Sequence, residues 1–147
     1  MIDFKTAIRT TVLLVDDDVH QLGFCALALE MSGFSVVTAS GPIEAIAILK
    51  EPTFHRFDIA IIDYRMPVMN GCVLAEYLKE RHPELKTVLY SDALSIPKEE
   101  MSAIDLFVAK ADGVASLLAR IAESGPLDVA NPVFLSGENS YYALAVN

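Results

Sequence analysis

Carboxylates, a hydroxyl and an amine each follow a short apolar run of this sequence. Asp16 and Asp17 come after the first run, and Asp63 comes after the third. Ser91 follows the fourth run, and Lys110 follows the fifth. If the runs are parallel strands, their carboxyl ends share one edge of a sheet, where ligand crevices open in α/β proteins. Carboxylates for a hard cation, with a lysine and a hydroxyl for phosphoryl oxygens, would suit phosphoryl transfer.

The five apolar runs have the length and the β-branched content of strands that are covered on both faces. They span residues 12–15, 36–39, 59–62, 88–90 and 106–109. Between them, apolar residues recur every three or four positions, which is the spacing of an amphipathic helix. This alternation predicts an α/β protein with a doubly wound sheet of five parallel strands and helices on both faces. The order 2-1-3-4-5, which is that of a flavodoxin-like sheet, follows if the first and third strands flank the point where the strand order reverses.

Local signals mark the ends of the predicted helices. The first helix begins after Asp18, whose side chain we expect to cap the helix rather than bind a metal ion. It ends at Gly33, and the last helix ends before Gly125. Between the fourth and fifth strands, residues 97–104 offer only a short helical segment. We therefore expect the helix of this connection to be reduced.

Composition and charge exclude several classes of protein. The chain has 147 residues and a formal net charge of -9, which opposes nucleic-acid binding through phosphate contacts. No apolar stretch approaches the ~18 residues that cross a bilayer, and the first residues lack the pattern of a signal peptide. Cys25 and Cys72 form no Cys-x-x-Cys pair, which favours free thiols in a reducing compartment. We expect a cytoplasmic protein without membrane or nucleic-acid partners.

In this order and setting, the polar motifs resemble the receiver domain of two-component response regulators, including the stand-alone chemotaxis type. The motifs are Val-Asp-Asp at residues 15–17, Asp-x-x-Met-Pro-x-x-x-Gly at 63–71, a hydroxyl residue at 91 and a lysine at 110. The resemblance implies a receiver domain over residues 1–125 and a C-terminal tail over 126–147, with no output domain visible.

By this resemblance, Asp63 is the phosphoacceptor, which attacks a phosphohistidine on a sensor histidine kinase or a phosphotransfer protein. Mg²⁺ would be the cofactor, with the peptide carbonyl of Arg65 among its ligands. The carboxylate ligands would be Asp16, Asp17 and Asp63, with Asp17 binding directly and Asp16 mainly through water. Such a protein signals to a downstream protein partner, with a homodimer as a further option. It catalyses at most its own phosphorylation and dephosphorylation.

The resemblance also implies which residues bind the phosphoryl group and report its presence. Lys110 would neutralise phosphoryl oxygens, and Ser91 would donate a hydrogen bond to one of them. Ser91 and Phe107 would form the switch, in which the hydroxyl moves towards the phosphoryl group and the aromatic ring turns inward.

Two other functions stay open. A degenerate receiver would bind partners without being phosphorylated. The intact acidic set, Ser91 and Lys110 speak against that alternative, whereas Asp92, next to the phosphate-binding hydroxyl, keeps it open. An aspartyl phosphatase on a similar sheet would need a nucleophile on the first strand and a second Asp two positions later, which Asp16 and Asp18 can mimic. It would also need an acidic pair after the lysine strand, where Asp112 stands alone.

Two further expectations concern side chains outside the motifs. We expect the last helix and the tail to form the partner surface, because Leu117, Leu118 and residues 141–146 exceed the apolar content that a small core needs. We also expect an ion pair between Arg65 and Asp92, which would shield the incoming phosphoryl group from the Asp92 charge and lengthen the phosphorylated state. An exposed pair of this kind contributes only ~0.2 to 1 kcal/mol to stability.

Overall fold

Five parallel strands form the sheet in the part of the chain that the structure describes. The computed structural model describes residues 9–51 and 57–124. The strands are β1 Thr11–Val15, β2 Ser35–Ala39, β3 Ile59–Ile62, β4 Lys86–Ser91 and β5 Leu106–Ala109. Their order is β2-β1-β3-β4-β5, and every neighbouring pair is parallel. The predicted fold and strand order are confirmed, whereas the expected tail at 126–147 lies outside the described residues.

Within the described ranges, four α-helices pack in pairs on the two faces of the sheet. They are α1 Val19–Met31, α2 Pro42–Lys50, α3 Gly71–Arg81 and α4 Gly113–Glu123. Helices α1 and α4 share one buried apolar cluster, and α2 and α3 share the other. On β1, Val12 and Leu14 lie in the first cluster, whereas Leu13 and Val15 lie in the second. Because both faces are covered, the strand is a continuous apolar run.

None of these described helices has the length and apolar character that a membrane crossing requires.

Side-chain caps fix the starts of α1 and α3. Asp18 Oδ1 accepts the backbone N–H groups of His20 and Gln21 at 3.1 and 3.2 Å. The predicted capping role of Asp18 is therefore confirmed. Asn70 caps α3 in the same way. Just beyond the end of α1, Gly33 has a φ of 101°, a left-handed conformation that glycine commonly adopts after a helix.

Several large apolar side chains are exposed on α1, whereas Leu117 and Leu118 of α4 are buried. Leu117 and Leu118 of α4 are 0% and 2% exposed, because they belong to the cluster shared with α1 and the sheet. On α1, by contrast, Phe24, Leu27 and Met31 are 69%, 57% and 74% exposed. Their spacing places these three side chains on one face of the helix, which we call the α1 stripe. The predicted partner surface on the last helix is wrong for both leucines, and the tail lies outside the described residues.

The connection between β4 and β5 contains one 3-10 turn, Lys98–Met101, in place of a full helix. The predicted reduction of this helix is confirmed. Asp105 holds the end of the connection, since it accepts the Thr87 N–H at 2.9 Å and forms an ion pair with Lys79 of α3. Burial alone would raise the pKa of Asp105, but the hydrogen bonds from Lys79 and Thr87 outweigh burial and lower the pKa.

Asp105→Asn should lower the free energy of unfolding by about 0.5 to 1 kcal/mol near neutral pH, a small value because the ion pair is partly exposed. The pKa of Asp105 is lower in the folded protein than in the unfolded chain. Its stabilisation is therefore present above the ordinary aspartate pKa and is lost as the pH falls through the folded-state pKa. Urea unfolding of both proteins from neutral to acid pH measures this difference.

The matched control is Asp112→Asn, because the Asp112 side chain makes no capping hydrogen bond at α4. It should leave the free energy of unfolding nearly unchanged. A difference between Asp105→Asn and wild type that does not depend on pH would contradict the role given to the ion pair.

Candidate functional site

Three carboxylates converge at the carboxyl ends of β1 and β3, where the strand order reverses. One oxygen from each of Asp16, Asp17 and Asp63 lies within 4.8 Å of the other two. Asp16 and Asp63 are buried, with 6% and 7% of their surface exposed, whereas Asp17 is exposed. The Asp63 N–H donates to the Val15 carbonyl at 3.0 Å and so extends the pairing of β1 with β3. The prediction that these aspartates share one pocket is confirmed.

Lys110 places a positive charge among these carboxylates. Its Nζ lies 2.7 Å from Asp16 Oδ2 and 3.5 Å from Asp63 Oδ2. Burial alone would lower the lysine pKa, but the hydrogen bond to Asp16 and the negative charges of Asp63 and Asp92 outweigh burial and raise the pKa. The ammonium group therefore stays charged and balances part of the negative charge of the pocket.

The surroundings of Asp63 disfavour its charged form. Burial raises the pKa of Asp63, and although Lys110 acts in the opposite direction, the charge of Asp16 raises the pKa further. Hydrogen bonds from Ser91 and from the Tyr64 N–H lower the pKa but do not offset burial. The Tyr64 N–H donates to Asp63 Oδ1 at 2.8 Å. A carboxylate in this environment gains free energy from any cation or electrophile that reduces its charge.

Ser91 ends β4 and is fully buried. Its Oγ accepts the Ala93 N–H at 3.2 Å, and its hydroxyl also acts on Asp63, whose pKa it lowers. In the sheet, Ser91 pairs with Ala109, which directly precedes Lys110. The hydroxyl and the amine therefore come from the ends of two neighbouring strands.

Residues 63–71, which we call the acceptor loop, begin with Asp63 and join β3 to the start of α3. The Gly71 N–H donates to the Tyr64 carbonyl at 2.8 Å and closes the loop. A Cβ atom at Gly71 would lie 2.2 Å from the Asp63 carbonyl oxygen. Since real contacts of this kind are not that short, the close approach of α3 to the acceptor requires glycine. This explains the glycine of the motif.

The middle of the acceptor loop is a strained turn. Val68 has a φ of 78°, which is rare for a β-branched residue. The Met69 N–H donates to the Pro67 carbonyl at 2.9 Å, so the turn spans three residues. Backbone strain of this kind persists where surrounding contacts impose it, and it is common at functional sites.

A further set of contacts ties the acceptor loop to the 3-10 turn of the β4–β5 connection. The Tyr64 hydroxyl donates to Glu100 Oε1 at 2.7 Å, and Asn70 Nδ2 lies 3.5 Å from the same oxygen. The hydrogen bond to Glu100 raises the pKa of Tyr64, so the hydroxyl stays protonated and donates. No local sequence pattern marks this contact, because Glu100 is 36 residues from Tyr64.

Known proteins resemble this chain in sequence and in fold. The family model of the response regulator receiver domain matches residues 12–123. The chain belongs to the response regulator receiver domain family. The photosynthetic apparatus regulatory protein RegA of Cereibacter sphaeroides is 31% identical over 138 residues, which cover 88% of this chain and 72% of RegA.

Other relatives of this receiver are longer than the shared domain. The transcriptional regulatory protein GlrR of Escherichia coli (strain K12) is 31% identical over 116 residues, which cover 79% of this chain and 24% of GlrR. The chain therefore spans about a quarter of the length of that relative. Among solved structures, the receiver resembles a CheY-like response regulator receiver domain protein from Methanospirillum hungatei JF-1, with a TM-score of 0.70 and 26% identity. That similarity covers 79% of this chain and 93% of the other.

The receiver brings together the predicted residues that reside at strand ends. They are Asp16, Asp17, Asp63, Ser91 and Lys110. Arg65, by contrast, has an exposed side chain on the acceptor loop. Phe107 is half-buried on β5 and lines an apolar pocket with Leu94 and Met101. The metal-binding role of Arg65 and the switching role of Phe107 stay predictions, as does the stand-alone chemotaxis subtype.

The predicted ion pair between Arg65 and Asp92 is wrong. In the described ranges, ion pairs join Lys79 to Asp105 and Lys110 to two aspartates, and no pair joins Arg65 to Asp92. Both side chains are exposed, and an exposed pair gains too little to hold two side chains in one geometry. The charge of Asp92 acts instead on Lys110, whose pKa it helps to raise.

Gly71→Ala should lower the free energy of unfolding by about 1 to 3 kcal/mol, because the added Cβ meets the Asp63 carbonyl, a backbone atom that cannot rotate away. The matched control is Gly23→Ala in α1, where nothing lies within 4 Å of an added Cβ. Its better helix propensity should stabilise the receiver by about 0.5 to 1 kcal/mol. Urea unfolding measures the free energy of unfolding of both variants, which should fall in Gly71→Ala and rise in Gly23→Ala. Equal changes in the two variants would contradict the close approach at Gly71.

Proposed function

We propose that this chain is a phosphoacceptor response regulator receiver. Asp63 takes a phosphoryl group from a sensor histidine kinase or a phosphotransfer protein, with Mg²⁺ as cofactor, and the phosphorylated receiver signals through protein contacts. The observation that carries the proposal is the position of Lys110 between two buried carboxylates, Asp16 and Asp63, at the carboxyl edge of the sheet. An aspartate that merely ended a turn would not need this balance of charge.

The proposed chemistry moves one phosphoryl group from nitrogen to oxygen. An Asp63 carboxylate oxygen forms a bond to phosphorus while the P–N bond of the phosphohistidine breaks, and the bonding electrons leave with the imidazole nitrogen. The Tyr64 N–H holds Oδ1, and Lys110 faces Oδ2, so both oxygens are oriented before the reaction. Hydrolysis later releases inorganic phosphate and restores the carboxylate.

The oxygen donors at this site fit Mg²⁺. The ion prefers oxygen ligands, keeps several waters and is usually held by one or two carboxylates together with phosphate oxygens. We assign the ligands to Asp16, Asp17 and Asp63, whose oxygens lie within 4.8 Å, and to the peptide carbonyl of Arg65. Because Lys110 already engages Asp16, the exposed Asp17 is the better direct ligand. When bound, the ion would neutralise charge on the phosphoryl oxygens.

Lys110 and Ser91 are the proposed contacts of the phosphoryl group. The Lys110 ammonium is 3.5 Å from Asp63 Oδ2, so a phosphoryl group on Asp63 would lie close to a positive charge. Phosphorylation adds about -1.5 to -2 charges, which this lysine and the Ser91 hydroxyl can bind. The proposed switch moves Ser91 towards the phosphoryl oxygens and turns Phe107 inward.

A degenerate receiver is the alternative, and one observation favours it. Asp92 adds an exposed negative charge directly after Ser91, close enough to Lys110 to raise its pKa. That charge would repel an incoming phosphoryl group. The aspartyl phosphatase alternative has no such support, because the chain belongs to a family of receiver domains and not to a class of conventional enzymes.

The phosphodonor protein must approach Asp63, and we propose that it binds the α1 stripe. Phe24 of the stripe lines a groove with His20, Val114 and Lys110, so the stripe leads to the site. Contiguous exposed apolar area usually marks an interaction surface. The net charge of -9 makes a protein a better partner than a nucleic acid. The downstream partner, a homodimer and a cytoplasmic location stay predictions.

Intact mass spectrometry tests the phosphoacceptor. Incubation with acetyl phosphate and Mg²⁺ should add the mass of one phosphoryl group to the wild type and none to Asp63→Asn, which lacks the nucleophilic carboxylate. A chelator that removes Mg²⁺ should slow the reaction. Phosphate on the Asp63→Asn protein would contradict the assignment, and an unmodified wild type would favour the degenerate receiver.

Asp17→Ala and Asp18→Ala separate metal binding from helix capping at adjacent positions. Asp17→Ala should weaken Mg²⁺ binding by about tenfold or more, because it removes the proposed direct ligand. Asp18→Ala should leave Mg²⁺ affinity unchanged and lower the free energy of unfolding by about 1 kcal/mol, because it removes the cap of α1. Calorimetric Mg²⁺ titration and urea unfolding measure the two effects. Equal losses of Mg²⁺ affinity would show that the ligand is misassigned.

Phe24→Glu should slow phosphorylation by a protein donor about fivefold or more, because it places a charge in the proposed apolar contact. The rate with acetyl phosphate should not change, since that donor needs no docking surface. Ile43→Glu on α2 is the matched control, because Ile43 is 58% exposed on the opposite face of the sheet. The donor is a histidine kinase or phosphotransfer protein that phosphorylates the wild type. If both variants respond alike, the α1 stripe is not the donor surface.

A further inference from the structure

We propose that Glu100 is a positioning residue for the phosphoacceptor, because its carboxylate holds both ends of the acceptor loop. The proposal rests on the proposed function of Asp63. Tyr64 and Glu100 belong neither to the acidic cluster nor to the pair formed by Lys110 and Ser91, yet they contact the loop that begins with the acceptor. It also makes the 3-10 turn Lys98–Met101 part of the structure that sets the reactivity of the site.

One oxygen of Glu100 receives the contacts from both ends of the loop. Tyr64, directly after Asp63, donates its hydroxyl at 2.7 Å. Asn70, directly before α3, places its Nδ2 atom 3.5 Å from the same oxygen. Glu100 therefore connects the residues near the two ends of the acceptor loop, and the strained Val68 lies between them.

The path from Glu100 to the acceptor passes through one residue. Tyr64 uses all of its polar groups: the hydroxyl donates to Glu100, the N–H donates to Asp63 Oδ1 at 2.8 Å, and the carbonyl accepts the Gly71 N–H at 2.8 Å. A displacement of the tyrosine ring would therefore shift the peptide group that orients Asp63. Lys110 lies 3.5 Å from the other carboxylate oxygen, and the Ser91 hydroxyl also contacts the carboxylate, so the Tyr64 N–H acts together with these groups on the rotation of the acceptor.

Asn70 extends this arrangement to α3. Its Oδ1 accepts the N–H groups of Cys72 and Val73 at 2.9 and 3.0 Å and so caps the helix. The opposite atom of the same amide faces Glu100. The start of α3 is thus held against both the acceptor and the 3-10 turn, which leaves the loop little freedom to move by itself.

The turn that carries Glu100 is itself held by backbone hydrogen bonds. The Glu100 N–H donates to the Pro97 carbonyl at 3.0 Å, and the Ile104 N–H donates to the Met101 carbonyl at 3.0 Å. Met101 also lines the apolar pocket beside Phe107. A change at the acceptor should therefore reach this pocket through Glu100. By the reciprocity of binding free energies, a ligand in the pocket should change the affinity of the acceptor site for a phosphoryl mimic by the same factor as the mimic changes the affinity of the pocket for the ligand.

A double-mutant cycle tests the positioning role, with acetyl phosphate and Mg²⁺ as the probe and intact mass as the readout. Tyr64→Phe, which removes only the hydroxyl, and Glu100→Ala should each lower the maximal phosphorylation rate about two- to tenfold. The double variant should be no slower than the slower single variant, because both remove the same contact. Glu100→Gln, which keeps an acceptor oxygen, should stay within about twofold of wild type.

Glu99→Ala is the matched control for charge, because Glu99 is an exposed neighbour on the same turn. It should leave the phosphorylation rate unchanged. Urea unfolding of all variants separates positioning from stability, since a purely structural role would move the unfolding midpoint without changing the rate of the folded protein.

Amide hydrogen exchange tests whether the acceptor is coupled to the 3-10 turn. A purely structural role of Tyr64 would not remove the response of this turn to a ligand at the acceptor. In the wild type, beryllofluoride with Mg²⁺, a mimic of the phosphoryl group, should change the exchange of amides in residues 98–104. In Tyr64→Phe, that response should be lost while the response at residues 63–66 remains. Loss of the distant response alone would support the coupling.

The outcomes separate the two proposals. A wild type that acetyl phosphate never modifies would overturn the proposed function, and with it the role of Glu100. A wild type that is phosphorylated at the same rate as Tyr64→Phe and Glu100→Ala would overturn only the positioning role. Additive effects of the two substitutions, or an equal effect of Glu99→Ala, would also overturn it, because the rate would then depend on independent changes or on charge alone.

Discussion

The positive charge of Lys110 among buried carboxylates is the interaction on which the rest of the site depends. Asp16 and Asp63 are 6% and 7% exposed, and two carboxylates at that depth repel each other. The lysine lies 2.7 and 3.5 Å from their oxygens, so the pocket can hold its negative charge in the folded state. Leaving a buried charge without its partner typically costs about 3 to 5 kcal/mol, so a group that displaces the lysine from Asp16 must supply other charge balance.

The fold makes that arrangement possible because parallel strands gather their carboxyl ends at one edge. Asp16 and Lys110 are 94 residues apart in the chain, yet they come from strand ends of the same sheet. The central strands β1 and β3 are covered on both faces, which buries the acceptor and strengthens every charge interaction around it. The first residue of α3 lies directly against the backbone of Asp63. Only a glycine at position 71 leaves enough space for this approach.

Helix α1 and helix α4 illustrate how burial depends on position rather than on composition. Both are rich in apolar residues, but α4 lies against the edge of the sheet and against α1, so Leu117 and Leu118 are buried. Helix α1 packs against the core through Leu22, Cys25 and Leu29. The α1 stripe lies on another face of the helix and stays exposed. An apolar excess in a sequence thus indicates that a surface exists without indicating which helix carries it.

Local signals in the amino-acid sequence were enough to predict the strands, the strand order and the residues at the strand ends. Apolar runs and turn residues are local signals, and the parallel fold then places Asp16, Asp63 and Lys110 together without further information. The cap at Asp18 was likewise predictable, because capping depends on the residues that follow directly.

Contacts between distant residues follow no local pattern, and they are defined only when the chain has folded. The tie between Tyr64 and Glu100 and the absence of a pair between Arg65 and Asp92 both depend on how two loops pack. The same holds for the exposed face of α1, because helical spacing defines a face but not its neighbour. Loop placement and helix packing result from the sum of many weak contacts over the whole domain, and no segment of the chain contains that sum.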